Sequence, residues 1–554
     1  MNTAARIACL LLLTAMALPA TAEQVLPLHQ RVDQLITAAQ GDLARHASPR
    51  CSDEEFLRRI WLDLVGQIPG GVEAEAFLAD KDPGKREKLV DRLLARPRHA
   101  RHVQHQLDVM LMQRLPKKHV EPAQWQDYLY TSVLENKPWN QLAEEILTAD
   151  GVDEKHRPRA RFLLARDLNF DDTTRDIGRI FLGRDMQCAQ CHDHPSIDDY
   201  LQRHYYGLTA FLKRSYLFKD PKSGSTSIGE KAEGDVKFTS VFTNEEGSTA
   251  PRLLDLSMIE DPEPAEELYV TKPDKDNRGV PRYSRRLQLA PSIISPENED
   301  FRVNIANRTW ALVMGRGLVE PLDMRHASNP PSHPELLQLL ADELLANGFD
   351  LRALIRQLVL SETYQRSSQQ VETDQALPDR FYLSAELKPL SAEQLAWSTM
   401  QAVGLVAASH GEQLAALKKE DPAFNVENME MAVKLEKAVN AALQPHVETF
   451  VGMFANQADA FSATASQALF LENSELISGW LKPADGNLVQ RLSNAEKLET
   501  VAGQLYLALL SRPPTSGELE NLVVFLQQFD SERQAGIAQA TRAILCSAEF
   551  RFNH

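Results

Sequence analysis

Cysteine is scarce in this chain, with five residues in 554, too few to build a scaffold from disulfides. Long apolar runs are also missing. The one run, Ile7 to Leu18, falls short of the roughly 20 residues that cross a bilayer, so no membrane span is expected. Positive charge is in deficit, with 60 Lys and Arg against 77 Asp and Glu and a formal net charge of −17. That balance argues against nucleic acid and anionic lipid as partners and suits a cationic redox partner or matrix. No GxSxG, HExxH or glycine-rich phosphate loop occurs, and the many carboxylate pairs carry no acid–base signature, so no catalytic residue is assigned. No repeat of about 20 to 50 residues recurs, which disfavours a solenoid or propeller.

What is present begins with a leader. Residues 1–22 combine a single charge at Arg6, the short apolar run, and Ala20-Thr21-Ala22 as a small-residue cleavage site, the pattern of a secretory signal peptide. The expectation is a periplasmic or secreted protein beginning at Glu23. Losing Arg6 moves its formal charge from −17 to −18.

The chemistry concentrates between Phe181 and Gly207, FLGRDMQCAQCHDHPSIDDYLQRHYYG. Cys188, Cys191 and His192 spell CxxCH, the attachment signature of c-type haem. Two thiols at this spacing reach the two haem vinyl groups, and the following imidazole reaches the iron. Cys188 and Cys191 are therefore the expected thioether anchors and His192 the proximal ligand of one haem c. The expected role is that of an exported cytochrome c-like protein, in electron transfer or haem-based redox chemistry. Two alternatives stay open. A zinc ion held by Cys188, Cys191, His192 and His194 is one, although four ligands within seven residues crowd a tetrahedral ion. An exported binding or scaffold protein with a thiol site and no cofactor is the other. Asp193 is expected to orient His192 or to cap a helix, and His194 to be an outer contact or a turn residue. Tyr205, Tyr206 and Phe211 are either porphyrin neighbours or core aromatics. Cys51 and Cys546 either pair or remain buried thiols.

LGRDMQCAQCHDHP followed by YYGLTAFL resembles the N-terminal member of a pair of domain families known as planctomycete cytochrome-C-associated domains. The stretch from Val303 to Ser367 is similar to the second member, with NRTWALVMGRGLVEPLDMRHASNPPSHPELLQLLADELLANGFDLRALIRQLVLSETYQRS matching nearly throughout. The phrases FLRRIWLDLVGQIP, ENKPWNQLAEEILTADG, SQALFLEN, YLALLSRPPTSGEL and AEFRFNH extend the resemblance over most of the chain. Both families are of unknown function, so the resemblance implies no activity.

The expected fold is mainly α, with two helical domains, 23–215 and 301–554, separated by a small β-containing, loop-rich insertion, 216–300. Apolar residues recur at helical spacing in 54–65, 89–94 and 103–111, and Pro122 sits where a first-turn proline belongs. The alternating VKFTSVF predicts a strand in the insertion, which contains no His or Cys. Helices are expected again at 349–364, 391–406, 428–455, 464–481 and 493–550. A second axial ligand must come from far along the chain, because Met186 and His194 are tethered too closely to the motif. His333, braced by Pro330, Pro331 and Pro334, is the expected candidate, and it requires the two helical domains to meet at the haem.

Overall fold

Local signals set the helix ends. Ser52 caps Asp53–Val65 by accepting the Glu55 N–H at 3.2 Å, and Gly66 closes that helix in the left-handed conformation. Pro97 and Pro122 each occupy a first turn, of Pro97–Met112 and Pro122–Leu134, where a missing N–H costs nothing. The computed structural model describes residues 26–554 except 255, 264–265, 374–375, 456–463 and 530; the expected leader lies outside the described residues.

The fold is mainly α. Among the described residues, β-structure is limited to four two-stranded antiparallel pairs and a few isolated bridges. Three of the pairs fall in the expected insertion but for Ser215, one residue before it: Ser215–Lys219 with Thr226–Glu230, Val236–Thr239 with Glu246–Thr249, and Tyr269–Thr271 with Val280–Pro281. The fourth joins Lys388–Pro389 to Phe552–Asn553 and ties the C-terminal segment to the middle of the chain. The expected strand at VKFTSVF stops at Thr239, and Val241 and Phe242 form a turn instead. The span expected as one helix at 391–406 breaks at Gly404, with φ of +89°, and a further helix, Leu405–Glu420, follows. That helix buries only Ser409 and Leu417, so its apolar periodicity is faint.

The hydrophobic cores do not follow the expected division near residue 301. One core runs from Val32 to Tyr382, and a second joins Leu62 and Ile68 to side chains between Leu395 and Phe550. The reason lies in helix faces. Glu299–Met314 buries Phe301, Ile305 and Trp310 in the first core, and Pro334–Ala346 and Leu351–Leu360 follow it there. Trp139 lies between Phe181 and Phe301, with ring centroids 5.9 and 6.3 Å away and planes tilted by 22° and 12°. This aromatic stack seats the start of the motif segment directly on the first helix beyond the insertion.

Candidate haem-attachment site

The approach to the motif is built by both halves of the chain. Asn169 caps Phe170–Ile177 by accepting the N–H groups of Asp171 and Asp172. The helix then widens into a single π turn, Gly178–Leu182, a departure from the α ladder that leaves carbonyls in need of partners. Side chains of Glu299–Met314 supply them: Asn304 Nδ2 donates to the Ile180 carbonyl at 2.7 Å, and Arg308 Nη2 to that of Arg179 at 2.7 Å. Gly183 ends the turn with φ of +69°, and a Cβ there would lie 2.8 Å from Asn304 Oδ1, so both the backbone and the close approach require glycine.

The segment after Gly183 is stitched to residues 323–327. Arg184 and Met324 form an isolated bridge. The Asp185 N–H donates to the Asp323 carbonyl at 2.7 Å, and that of Arg325 to Gly183 at 3.1 Å. Tyr200 Oη donates to the Arg325 carbonyl at 2.9 Å, and the Ala327 N–H to the Asp199 carboxylate. Arg184 forks onto Asp300 at 2.8 and 3.0 Å and reaches Asp199 at 3.0 Å, while Arg325 shares Asp300. A planar guanidinium fixes both carboxylates in register, which a lysine would not do.

Cys188 ends up in a short 3₁₀ turn, Gln187–Gln190, followed at once by Cys191. Both thiols are free and exposed. His192 is half-buried, and its Nδ1 lies 2.6 Å from the Asp193 carbonyl oxygen. That carbonyl only accepts, so Nδ1 carries the proton and the Nε2 lone pair is left for a metal, the tautomer an iron-ligating histidine needs. The Asp193 carboxylate does the other expected job, accepting the Gln202 N–H at 2.7 Å to cap Gln202–Leu212. His194 is a turn residue: its N–H donates to the Tyr200 carbonyl, and its Nδ1 accepts from Ser196 at 3.2 Å.

The aromatics divide. Tyr205 and Phe211 are core, with Tyr205 Oη donating to Asp171. Tyr206 stands at the motif, donating to the Gln190 carbonyl at 3.1 Å and stacking on Phe238, with centroids 4.6 Å apart and planes within 3°. Phe238 belongs to the hairpin of Val236–Thr239 and Glu246–Thr249, whose turn also reaches the motif through Phe242, 4.5 Å from the His192 ring. Sequence reasoning missed this neighbour because it searched the insertion for ligand types and found none.

Residues 183–200 and 323–327 meet beside the motif, and the histidine this seam brings near is His326. Its ring stands edge-on to Tyr200 at 5.6 Å, and Tyr200 edge-on to His194 at 6.2 Å. His326 Nδ1 is buried without a hydrogen-bond partner. Burial holds its pKa below the ordinary imidazole value; Asp199 pulls the other way, and His194 and Arg184 reinforce the fall. His333 is 4% exposed and lies against Phe381 and Tyr382, with Nδ1 3.0 Å from Ser332 Oγ. The structure thus places it among residues of its own half of the chain, and not with Cys188, Cys191 and His192.

Among the described residues, no three His, Cys, Asp or Glu side chains converge to hold a metal ion, so the four-ligand zinc arrangement is not preformed. The donor set does fit haem c: two unpaired, accessible thiols, an adjacent imidazole with a free Nε2, and apolar surface beside it. Cys51 and Cys546 do not pair; both are free, Cys51 buried and Cys546 exposed.

Residues 31–216 match the family PSCyt2, Protein of unknown function (DUF1549), and residues 285–526 match PSD1, Protein of unknown function (DUF1553). No curated protein and no solved structure matches the chain.

Proposed function

We propose that this chain, which belongs to the paired planctomycete cytochrome-C-associated domains, is an exported c-type haem protein serving electron transfer or haem-based redox chemistry. The observation that carries the reading is the motif's geometry: free, exposed Cys188 and Cys191 beside a His192 whose Nδ1–H is held by the Asp193 carbonyl. In this reading Cys188 and Cys191 anchor the porphyrin through thioethers, and His192 ligates the iron through Nε2. The Asp193 carbonyl fixes the ring's tautomer and raises its basicity. Bound haem c supplies one-electron exchange between ferric and ferrous iron. The acidic chain suits a cationic redox partner. The expected signal peptide at 1–22 delivers the thiols to the compartment where such attachment occurs.

Denaturing the exported protein, made with haem-maturation factors present, tests the reading. Haem should stay on the polypeptide, attachment should weaken or vanish in Cys188→Ser and Cys191→Ser, and His192→Ala should chiefly disturb iron ligation. A wild type that carries no covalent haem under those conditions returns the site to the alternative, a binding or scaffold protein with a thiol or structural-metal centre.

A further inference from the structure

The turn 240–245 puts two apolar side chains where a turn ordinarily places polar ones: Val241 is 60% exposed and Phe242 73% exposed. The turn does not need them for its own structure. Its bonds run from the Ser240 N–H to the Glu245 carbonyl, from the Asn244 N–H to the Ser240 carbonyl and from the Thr243 N–H to Ser240 Oγ, and Thr243 Oγ1 donates to Glu245. The hairpin is nonetheless fastened to the motif at several points. The Val241 N–H donates to the Cys191 carbonyl at 3.1 Å. Gln202 Nε2 spans the Gln190 and Thr239 carbonyls at 3.3 and 3.4 Å, and Tyr206 stacks on Phe238. The outcome is an exposed phenyl ring laid on the His192 imidazole at 4.5 Å and 40°, next to two exposed thiols.

Exposed apolar surface, held rigidly against a motif that takes a large apolar group, is surface awaiting a cover. Resting on the haem reading above, we propose that Phe242 and Val241 are the apolar wall for the porphyrin on the His192 side, and that Phe242 also sets the rotation of the imidazole ring. The insertion thus provides the haem's environment without providing a ligand. Phe242 is a positioning residue, acting through His192 and by excluding water from the iron's surroundings; a drier surrounding favours the less charged ferrous form.

The test uses the full-length holoprotein in three forms: wild type, Phe242→Ala and Phe242→Leu. All three should carry covalent haem and show the same far-ultraviolet circular dichroism, since no bond of the turn depends on the phenyl ring. At a fixed mediator potential, Phe242→Ala should shift the ferrous-to-ferric ratio about tenfold toward ferric, about 59 mV for a one-electron couple. Phe242→Leu should recover at least half of that shift, because it restores the wall but not the ring stack. Covalent haem with an unchanged ratio and absorption spectrum in Phe242→Ala overturns the wall while leaving the haem reading intact. A wild type without covalent haem overturns both, and does so before any variant is compared.

Discussion

Asp63 and Lys388 lie 325 positions apart, yet Lys388 Nζ sits 2.6 Å from Asp63 Oδ1 in an almost closed pocket. The same carboxylate accepts from Asn553 Nδ2 at 2.7 Å and Tyr364 Oη at 2.9 Å, so one acid joins four distant segments. Burial pulls the Lys388 pKa below its ordinary value, against the opposing pull of Asp63. Removing the acid leaves the ammonium without its counter-charge, with the Val313 carbonyl at 2.9 Å as its remaining acceptor. Asp63→Ala should lose about 3–5 kcal/mol of stability, and Asp63→Asn less, read from urea unfolding midpoints. Equal midpoints for wild type and Asp63→Ala would show that the cluster contributes no net stability.

Arg58 is the second clamp on the C-terminal segment. Fully buried, it donates to the carbonyls of Leu509, Glu549, Phe550 and Phe552, at 2.9 to 3.4 Å. Burial pushes its pKa down to about 10, which keeps it charged at neutral pH. Arg58→Met preserves volume but leaves those acceptors without their charged donor, a cost of at least about 3 kcal/mol. The segment 548–554 should then become sensitive to limited proteolysis while the rest of the chain resists; resistance equal to wild type would contradict the clamp.

Three histidines follow one another along Pro97–Met112: His99 and His102, both buried, and His105, half-buried with its Nε2 closed off from water. Burial drives His99 and His105 down to about 4, and His102 well below the ordinary value. In each case the unfolded state binds the proton first, near pH 6.5, so stability is full above that pH and is lost as pH falls toward 4. A shift of this size is worth on the order of 3 kcal/mol for each of His99 and His105. Unfolding midpoints measured from pH 7 to pH 4 should drop steeply, and His99→Gln should flatten the decline. A profile level over this range would mean these groups remain open to water.

His333 and His326 separate in a spectroscopic experiment on the haem-loaded protein. His333→Ala should lower the unfolding midpoint, because the ring packs on Phe381 and Tyr382, and leave the haem absorption unchanged. A low-spin spectrum turning high-spin in His333→Ala would reverse this and make it the second axial ligand. If the spectrum changes instead in His326→Ala, the ligand is the histidine at the seam.

The chain order of amino acids determined the helices and the Cys188, Cys191 and His192 motif. Three-to-four apolar spacing and a first-turn proline such as Pro122 act over one or two turns, so the helices over 54–65 and from Pro122 were legible directly. CxxCH was legible for the same reason, since three nearly adjacent residues spell it. Gly404 showed the limit: a glycine inside an apolar pattern leaves open whether a helix runs through or restarts, and the left-handed conformation that breaks it is a packing outcome. Tertiary structure alone decided what surrounds the motif. Nothing in VKFTSVF marks Phe242 as a neighbour of His192, because that contact needs Gln202 and Tyr206 to hold a hairpin some forty residues downstream. Nothing in SNPPSHPELL shows that Tyr382 encloses His333 while Tyr200 reaches His326 instead. Those choices arise from side chains far apart in the chain competing for the same buried volume, and local periodicity carries no record of who wins.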